Sequence, residues 1–166
     1  ESNELVQDIY ISERNEAGLW MQPSRLSDVI NTAGREENPF LHSDGVSLYF
    51  ASDGLPGMGG MDLYVSRKSE DGSWSTPENL GYPINTSGDE NSLQVFADGR
   101  HAIFATDREE PGNLDLWEFE LPEAVSANAV ALWQGGVFDS KTRTPVSARV
   151  QVLNKAGVIL STQRSN

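Results

Sequence analysis

The chain of 166 residues carries 25 acidic and 12 basic side chains, for a formal net charge of −13. A field of that sign repels phosphate, so we expect neither nucleic acid nor anionic membrane surfaces as partners. The chain has no cysteine, which excludes disulfides, thiolate metal sites and cysteine nucleophiles. It also has no run of about 18 apolar residues and no signal-peptide pattern at its start, so we expect no direct membrane insertion.

An internal repeat organises the first two thirds of the sequence. Residues 8–13 alternate apolar and polar side chains, which predicts a strand, and a similar pattern returns at 62–67. Residues 8–53 align with residues 62–107 at a constant offset of 54, and 18 of the 46 aligned positions are identical. The repeat continues at Asp115 with an offset of 53, because the loop before it is one residue shorter.

Each repeat unit contains about four predicted strands and almost no helical pattern. Asp44-Gly45 and Asp98-Gly99 are hairpin-turn signals. Residues 1–28 would supply the last two strands of an earlier unit. The other strands are expected at 38–42, 46–52, 62–67 and 77–80, and then at 92–96, 101–106 and 115–120.

A period of 50-odd residues with about four strands is typical of a β-propeller blade. The sequence therefore predicts an all-β protein that contains a partial β-propeller of about two blades plus part of another. Propellers have about four to eight blades, so this stretch cannot close a ring alone. We interpret the sequence as part of a longer protein.

The pattern changes after Pro122. Residues 123–132 are expected to form a linker, and residues 131–138 are predicted to be a strand. Apolar residues at every second position from Val146 to Val152 predict a half-buried strand, and a turn at 154–157 leads into another. We therefore expect the first strands of an Ig-like β-sandwich, which is truncated in this chain.

The repeat resembles the PD40, or WD40-like, β-propeller repeats of the TolB type. The likeness rests on Asp44-Gly45, on the stretch 48–53, on GGMDLY at 59–64 and on PINTSGDE at 83–90. Residues 136–150 in turn resemble the first strands of a carboxypeptidase-regulatory-like domain. This order of domains is similar to that of OmpA-family peptidoglycan-associated proteins of the Bacteroidetes envelope, which include a type IX secretion component.

The resemblance implies three segments: a partial PD40-type propeller at 1–122, a linker at 123–132 and a truncated carboxypeptidase-regulatory-like sandwich at 133–166. It also implies a location in the periplasm or at the outer membrane, with other envelope proteins as partners. Peptidoglycan binding is implied only through a C-terminal domain that is absent from this chain.

The repeated aspartates are the first candidate site residues. Asp53, Asp62, Asp107 and Asp115 flank the loops between strands, and Asp8 is equivalent to Asp62. As oxygen ligands they would suit calcium, which takes about six to eight oxygens. Alternatively, each carboxylate caps backbone N–H groups of its loop. The aspartates repeat while the loops between them do not, so the sequence favours capping, and we expect no metal and no cofactor.

The aromatic residues are the second candidates. Trp20 and Trp74 recur at one position in each unit, which favours packing between units over a stacking platform for sugar rings. Tyr10, Tyr64 and Trp117 alternate within strands and are predicted to lie in the core.

No catalytic arrangement stands out from the repeat, so we expect that the protein is not an enzyme. His42 and His101 occupy non-equivalent positions and are expected at the surface or at sheet edges. The pairs at 36–37 and 89–90 repeat, which favours structural or solvated carboxylates over glycoside chemistry. Two hypotheses follow: a non-catalytic envelope scaffold for protein interactions, which we favour, and a carbohydrate-binding or glycan-hydrolysing propeller.

Overall fold

The computed structural model describes residues 6–131 and 134–165, and the chain divides into two compact units, Glu1–Ala131 and Leu132–Asn166. The protein is all-β, with several antiparallel sheets, none of which is closed within the described residues. A short 3₁₀ helix at Glu123–Val125 is the one helical element of this part of the chain. Among the residues described, no helix has the length and apolar character needed to span a membrane.

The first unit is built from three sheets that follow one another along the chain. Two short strands form the first sheet, four strands in the order β3-β4-β5-β6 form the second, and three strands in the order β7-β8-β9 form the third. The strands are β1 (Tyr10–Ile11), β2 (Ser24–Arg25), β3 (Glu36–Leu41), β4 (Ser47–Ser52), β5 (Asp62–Arg67), β6 (Glu78–Asn79), β7 (Glu90–Val95), β8 (His101–Thr106) and β9 (Asp115–Glu120).

The predicted order of strands in this unit is confirmed. The strand predicted at 8–13 is reduced to Tyr10–Ile11, and the other main differences lie at the starts of β3 and β7. Each begins two residues earlier than predicted, at a glutamate, and each is then interrupted by a bulge in its pairing with the next strand. Asn38 and Ser92 adopt positive φ angles of 50° and 55° within these bulges. A bulge inserts an unpaired residue and breaks the alternation of side chains, which is why the sequence pattern does not extend the predicted strands to 36–37 and 90–91.

Glycine is required at the two hairpin turns between the first and second strands of each repeat. Gly45 and Gly99 have φ angles of 76° and 75°, in the left-handed region that side chains with a Cβ atom rarely adopt. A Cβ atom on Gly45 would meet nothing within 4 Å, whereas one on Gly99 would lie 2.2 Å from the carbonyl oxygen of Ala127. The second turn therefore excludes a side chain for two independent reasons.

Neighbouring sheets pack through their apolar faces. The β1–β2 hairpin and the facing side of the second sheet share one cluster of buried residues: Ile9, Leu26, Ile30, Leu48, Phe50 and Tyr64. The other side of the second sheet packs against the third sheet, and Leu121, Val125 and Ala127 complete this larger cluster. Its members from the two sheets include Tyr49, Ala51, Leu63, Val65, Leu80, Ile84, Leu93, Val95, Ala102 and Phe104.

The second unit contains one β-hairpin, formed by β10 (Arg149–Leu153) and β11 (Ile159–Arg164). The turn between them was predicted, but β10 begins three residues later than the alternation at 146–152 suggested. The strand predicted at 131–138 is wrong for residues 134–137, since only Phe138 makes an isolated bridge, to Pro145; positions 132 and 133 lie outside the described residues. Val150 and Val152 are 43% and 48% exposed.

Candidate functional site

The loop carboxylates of the second and third sheets bind backbone N–H groups. Asp53 accepts hydrogen bonds from the backbone N and from Nε of Arg35, both at 2.7 Å. Burial alone would raise the pKa of Asp53, but these bonds outweigh it and hold the pKa below the usual value. The equivalent Asp107 accepts from the backbone N of Gly112 at 2.7 Å and of Asp89 at 2.8 Å, which lowers its pKa as well.

Asp62 is buried and only half satisfied. Its Oδ2 atom accepts hydrogen bonds from the backbone N of Met58 at 2.8 Å and of Gly59 at 3.1 Å, which fixes the glycine-rich loop. Its Oδ1 atom has no hydrogen-bond partner, and neither does Nδ2 of Asn79. A buried polar oxygen without a hydrogen-bond partner carries a desolvation cost.

The equivalent aspartates of the first and third sheets have different surroundings. Asp8 holds the guanidinium group of Arg25 by two bonds, with Nε at 2.7 Å and Nη2 at 3.1 Å. Position 79 is equivalent to position 25, so the second repeat has an asparagine where the first has this arginine. Asp115 is exposed to solvent. The repeated aspartate therefore has three different surroundings: an ion pair at Asp8, the cap of a loop at Asp62 and an exposed strand end at Asp115.

In the second and third sheets, a buried glutamate ties the loop that enters the sheet to the second strand of that sheet. Glu90 accepts hydrogen bonds from the backbone N and hydroxyl of Thr86 at 3.0 and 2.6 Å, and from the hydroxyl of Thr106 at 2.9 Å. In the preceding repeat, Glu36 makes the same three contacts, with Thr32 at 2.8 and 2.7 Å and with Ser52 at 2.8 Å. Glu36 and Glu90 are 2% and 0% exposed, so these carboxylates are structural and not solvated.

Near each of these glutamates, a buried asparagine binds both the backbone N and the carbonyl of one residue. Asn85 accepts a hydrogen bond from the backbone N of Leu63 at 2.8 Å and donates to the Leu63 carbonyl at 2.9 Å. Asn31 makes the same pair of bonds with Ile9, at 2.7 and 3.1 Å. The sequence signal for both devices was the repeated string N-T-x-G-x-E at 31–36 and 85–90, although its role was not predicted.

The tryptophans and tyrosines divide between core and surface. Tyr64 is buried as predicted, but Tyr10 is 57% exposed and Trp117 is 37% exposed, so their prediction as core residues is wrong. Trp74 packs against the cluster between the first two sheets, as packing between units requires. Trp20 does not follow this pattern, since it is 66% exposed. A cation lies over both rings, Arg14 at 4.7 Å from the Trp20 centroid and Lys68 at 5.9 Å from that of Trp74.

The two histidines also have unlike surroundings. His42 is 2% exposed, which corrects its expected place at the surface or an edge. Its Nε2 lies 3.0 Å from the carbonyl oxygen of Phe96, and its Nδ1 accepts from the backbone N of Asp44 at 3.2 Å. His101 is exposed, and its hydrogen bond to Asp98 raises the pKa of its imidazole. The same pairing lowers the pKa of Asp98 to about 2.

Side chains of the second sheet and its hairpin turn form hydrogen bonds with the segment that follows β9. Asp44 accepts hydrogen bonds from the backbone N of Asn128 at 3.0 Å and from the hydroxyl of Ser47 at 2.7 Å. The hydroxyl of Tyr49 donates to the Val125 carbonyl at 2.7 Å, and burial raises the pKa of Tyr49 to about 12. Arg67 donates to the carbonyl of Ser126 at 2.7 Å. Side chains of the second sheet and its hairpin turn therefore hold the segment that follows the third sheet.

An apolar groove of about 260 Å³ lies beside β9. Ile84, Phe104, Trp117 and Phe119 line it, and the guanidinium group of Arg108 lies over the Trp117 ring at 4.7 Å. Arg108 also donates to the carbonyl oxygens of residues 83 and 84, at 2.8 and 2.7 Å. Residues 6–131 and 134–165 contain no group of three or more His, Cys, Asp or Glu side chains placed to hold a metal ion.

Comparisons with protein-family profiles, with curated proteins and with solved structures each gave no match to this chain.

Proposed function

We propose that the first unit is part of a PD40-type β-propeller and that the chain acts as a non-catalytic scaffold for protein interactions in an OmpA-family protein of the bacterial envelope. In this proposal each sheet is one blade, complete in the second sheet and partial in the first and third. The 54-residue repeat and the face-to-face packing of successive sheets support it. The second unit would be the start of a carboxypeptidase-regulatory-like sandwich.

The main support for this proposal is that the repeated polar side chains bind groups of the fold itself. Hydrogen bonds to backbone and hydroxyl groups of the fold are formed by Asn31, Glu36 and Asp53. Their equivalents one repeat later do the same. Residues committed in this way hold blades in register and are not available to a substrate. A rigid, strongly acidic surface built on such units suits the recognition of other proteins.

The experiment is to locate the full-length protein in the cells that produce it and to identify its neighbours by cross-linking. We expect it in the envelope fraction, cross-linked to envelope proteins through surface positions of the first unit. Recovery in the cytosolic fraction, or cross-links that do not exceed those of an unrelated envelope protein of the same abundance, would count against the scaffold.

The exposure of Trp20 supports a second candidate function, carbohydrate binding, because an exposed indole offers a face on which a sugar ring stacks. A glycan array probed with the intact protein tests this candidate. Binding that disappears in Trp20→Ala, with the melting temperature unchanged, would favour it. Trp74→Ala is the matched control, since Trp74 packs on a core cluster and its loss should act through stability.

A further inference from the structure

The outer edge of β9 is the one third-strand edge in the first unit that has no partner among residues 6–131. In the first sheet the equivalent strand β1 pairs with β2, and in the second sheet β5 pairs with β6. β9 pairs with β8 on one side only. An open strand edge presents backbone donors and acceptors to any extended segment that can pair with it.

The occupied edge of the first sheet shows one residue that this position accepts, whereas the second sheet has Asn79 there, opposite Tyr64. Arg25 of β2 pairs with Tyr10 and places its guanidinium group on Asp8. On β9, Trp117 and Asp115 stand at the positions of Tyr10 and Asp8. Asp115 is exposed, so an arginine that paired with Trp117 could reach its carboxylate as Arg25 reaches Asp8.

The groove beside β9 shows a second requirement. Ile84, Phe104 and Trp117 line it, and these three residues are equivalent to Ile30, Phe50 and Tyr64. In the second sheet that equivalent set forms the cluster against which Trp74 packs. The groove is therefore the place of an aromatic side chain that arrives with a fourth strand. Trp74 precedes Asn79 by five residues. Trp20 precedes Arg25 by the same interval but is 66% exposed, so the second sheet alone shows this packing.

The charge along β9 favours a basic occupant. Glu118 is exposed where the equivalent residue of β5, Val65, is 3% exposed in the core. β9 thus carries three carboxylates, of which Glu120 is paired with Arg100 at 2.8 Å, and the chain as a whole is strongly acidic. Arg108 is the cation that faces the groove, and it already lies over Trp117. An incoming arginine opposite Trp117 would lie within reach of Asp115, as Arg25 reaches Asp8 from its place opposite Tyr10. Arg108 is held by the carbonyl oxygens of residues 83 and 84.

We propose that the outer edge of β9 binds a basic, extended segment of another protein as an added antiparallel strand. The segment carries an arginine opposite Trp117 and an aromatic residue five positions before it. The arginine pairs with Asp115, and the aromatic ring fills the groove. This inference rests on the proposed interaction role, which it makes specific by assigning the surface and the chemistry of the partner.

The test uses a labelled synthetic peptide with the sequence of residues 18–27, GLWMQPSRLS, titrated with the intact chain and followed by fluorescence anisotropy. We expect saturable binding. Arg25→Glu in the peptide should abolish it, and Trp20→Ala should weaken it about tenfold. In the protein, Asp115→Asn should weaken binding about two- to fivefold, the upper range of an exposed ion pair.

Two backbone variants test strand addition directly. By alternation, residues 116, 118 and 120 direct their backbone groups away from β8, as Leu63 does when its carbonyl accepts from the backbone N of Leu80 at 3.0 Å. Glu118→Pro removes one donor from the open edge and leaves the β8–β9 ladder in place, so it should weaken binding at least tenfold. Glu118→Gln, which keeps the backbone donor, should retain most of the affinity.

Asp8→Asn is the matched control for displacement of the chain's own β2. If the peptide binds β1 in place of β2, affinity will respond to Asp8→Asn and not to Asp115→Asn, and the proposal is wrong. It is also wrong if no peptide binds, or if the peptide binds this chain but not the full-length protein, whose own sequence then covers the edge. It is wrong, too, if the edge is used by a second copy and Glu118→Pro converts a dimer into a monomer. Envelope cross-links that persist in Glu118→Pro would overturn this inference and leave the scaffold role standing.

Discussion

Substitution of Asp44 by asparagine should destabilise the first unit by about 2 kcal/mol, the cost of a lost charge-assisted bond with a donor left unpaired. The Asp44 side chain is 2% exposed. Its Oδ1 atom accepts from the backbone N of Val46 and Ser47, and its Oδ2 atom accepts from Asn128 and the Ser47 hydroxyl. An asparagine with its oxygen at Oδ1 keeps the first pair but turns an NH₂ group towards the Asn128 donor.

Asp98→Asn is the control, because Asp98 occupies the equivalent position in the next hairpin with a half-exposed side chain. Water can replace its lost bonds, so its effect should be much smaller. Urea denaturation of each variant, followed by tryptophan fluorescence, gives the difference in unfolding free energy. Hydrogen exchange at the Asn128 amide reports the same contact locally and should speed up in Asp44→Asn alone.

The contribution of Asp44 to the free energy of unfolding should depend on pH. Burial opposes its ionisation, but the bonds from Ser47, Val46 and Asn128 outweigh burial and lower the folded-state pKa. A lowered folded pKa means that the stabilisation is complete above the unfolded value of about 4 and is lost as the pH falls through the folded value. The gap between wild type and Asp44→Asn should therefore shrink on acidification. A gap that is constant from pH 7 to pH 3, or equal effects of the two substitutions, would refute this account.

Three further predictions concern the repeat, each measured by thermal or urea denaturation. Gly99→Ala should cost about 3 kcal/mol through backbone strain and a clash, whereas Gly45→Ala should cost about 1 kcal/mol through strain alone; equal costs would contradict the clash. Glu90→Gln should cost about 2 kcal/mol, because an amide cannot accept all three of its bonds, and an unchanged midpoint would argue against these bonds. Asn79→Arg should pair Asp62 but removes the acceptor of the bonds from Gly81 N and Asn85 Nδ2, so the pairing should appear as a coupling of about 1 kcal/mol in a double-mutant cycle with Asp62→Asn; zero coupling would argue against the ion pair.

The strands and turns of the first unit could be predicted because their signals are local. Alternation over six residues fixes β5, β8 and β9, and the glycines of the two hairpin turns are set by their own φ angles. The early starts of β3 and β7 could not be predicted in this way, since a bulge hides the alternation from a reading based on period alone.

The surroundings of the candidate residues could not be predicted, because they depend on partners far away in the sequence. His42 is buried by a contact with Phe96, 54 residues later. Tyr10 and Tyr64 share one repeat position, yet Tyr64 is buried with Phe50 stacked on its ring at 6.0 Å, while Tyr10 is exposed. A repeat reveals which positions are equivalent, but it cannot show which copy has a neighbour.

The differences between the copies therefore say more about function than the identities do. Identical positions are occupied by residues that hold the fold, as the bonds of Glu90 illustrate. The third sheet departs from the second where Glu118 replaces Val65 and Arg108 replaces Gly54, and both changes border the open edge of β9. Substitutions at these departures should alter peptide binding with little effect on stability, and substitutions at identical positions should do the reverse. The opposite result would require the site to be placed elsewhere. Examples are an Arg108→Gly variant that unfolds the protein, or a Glu90→Gln variant that stays folded but no longer binds the peptide.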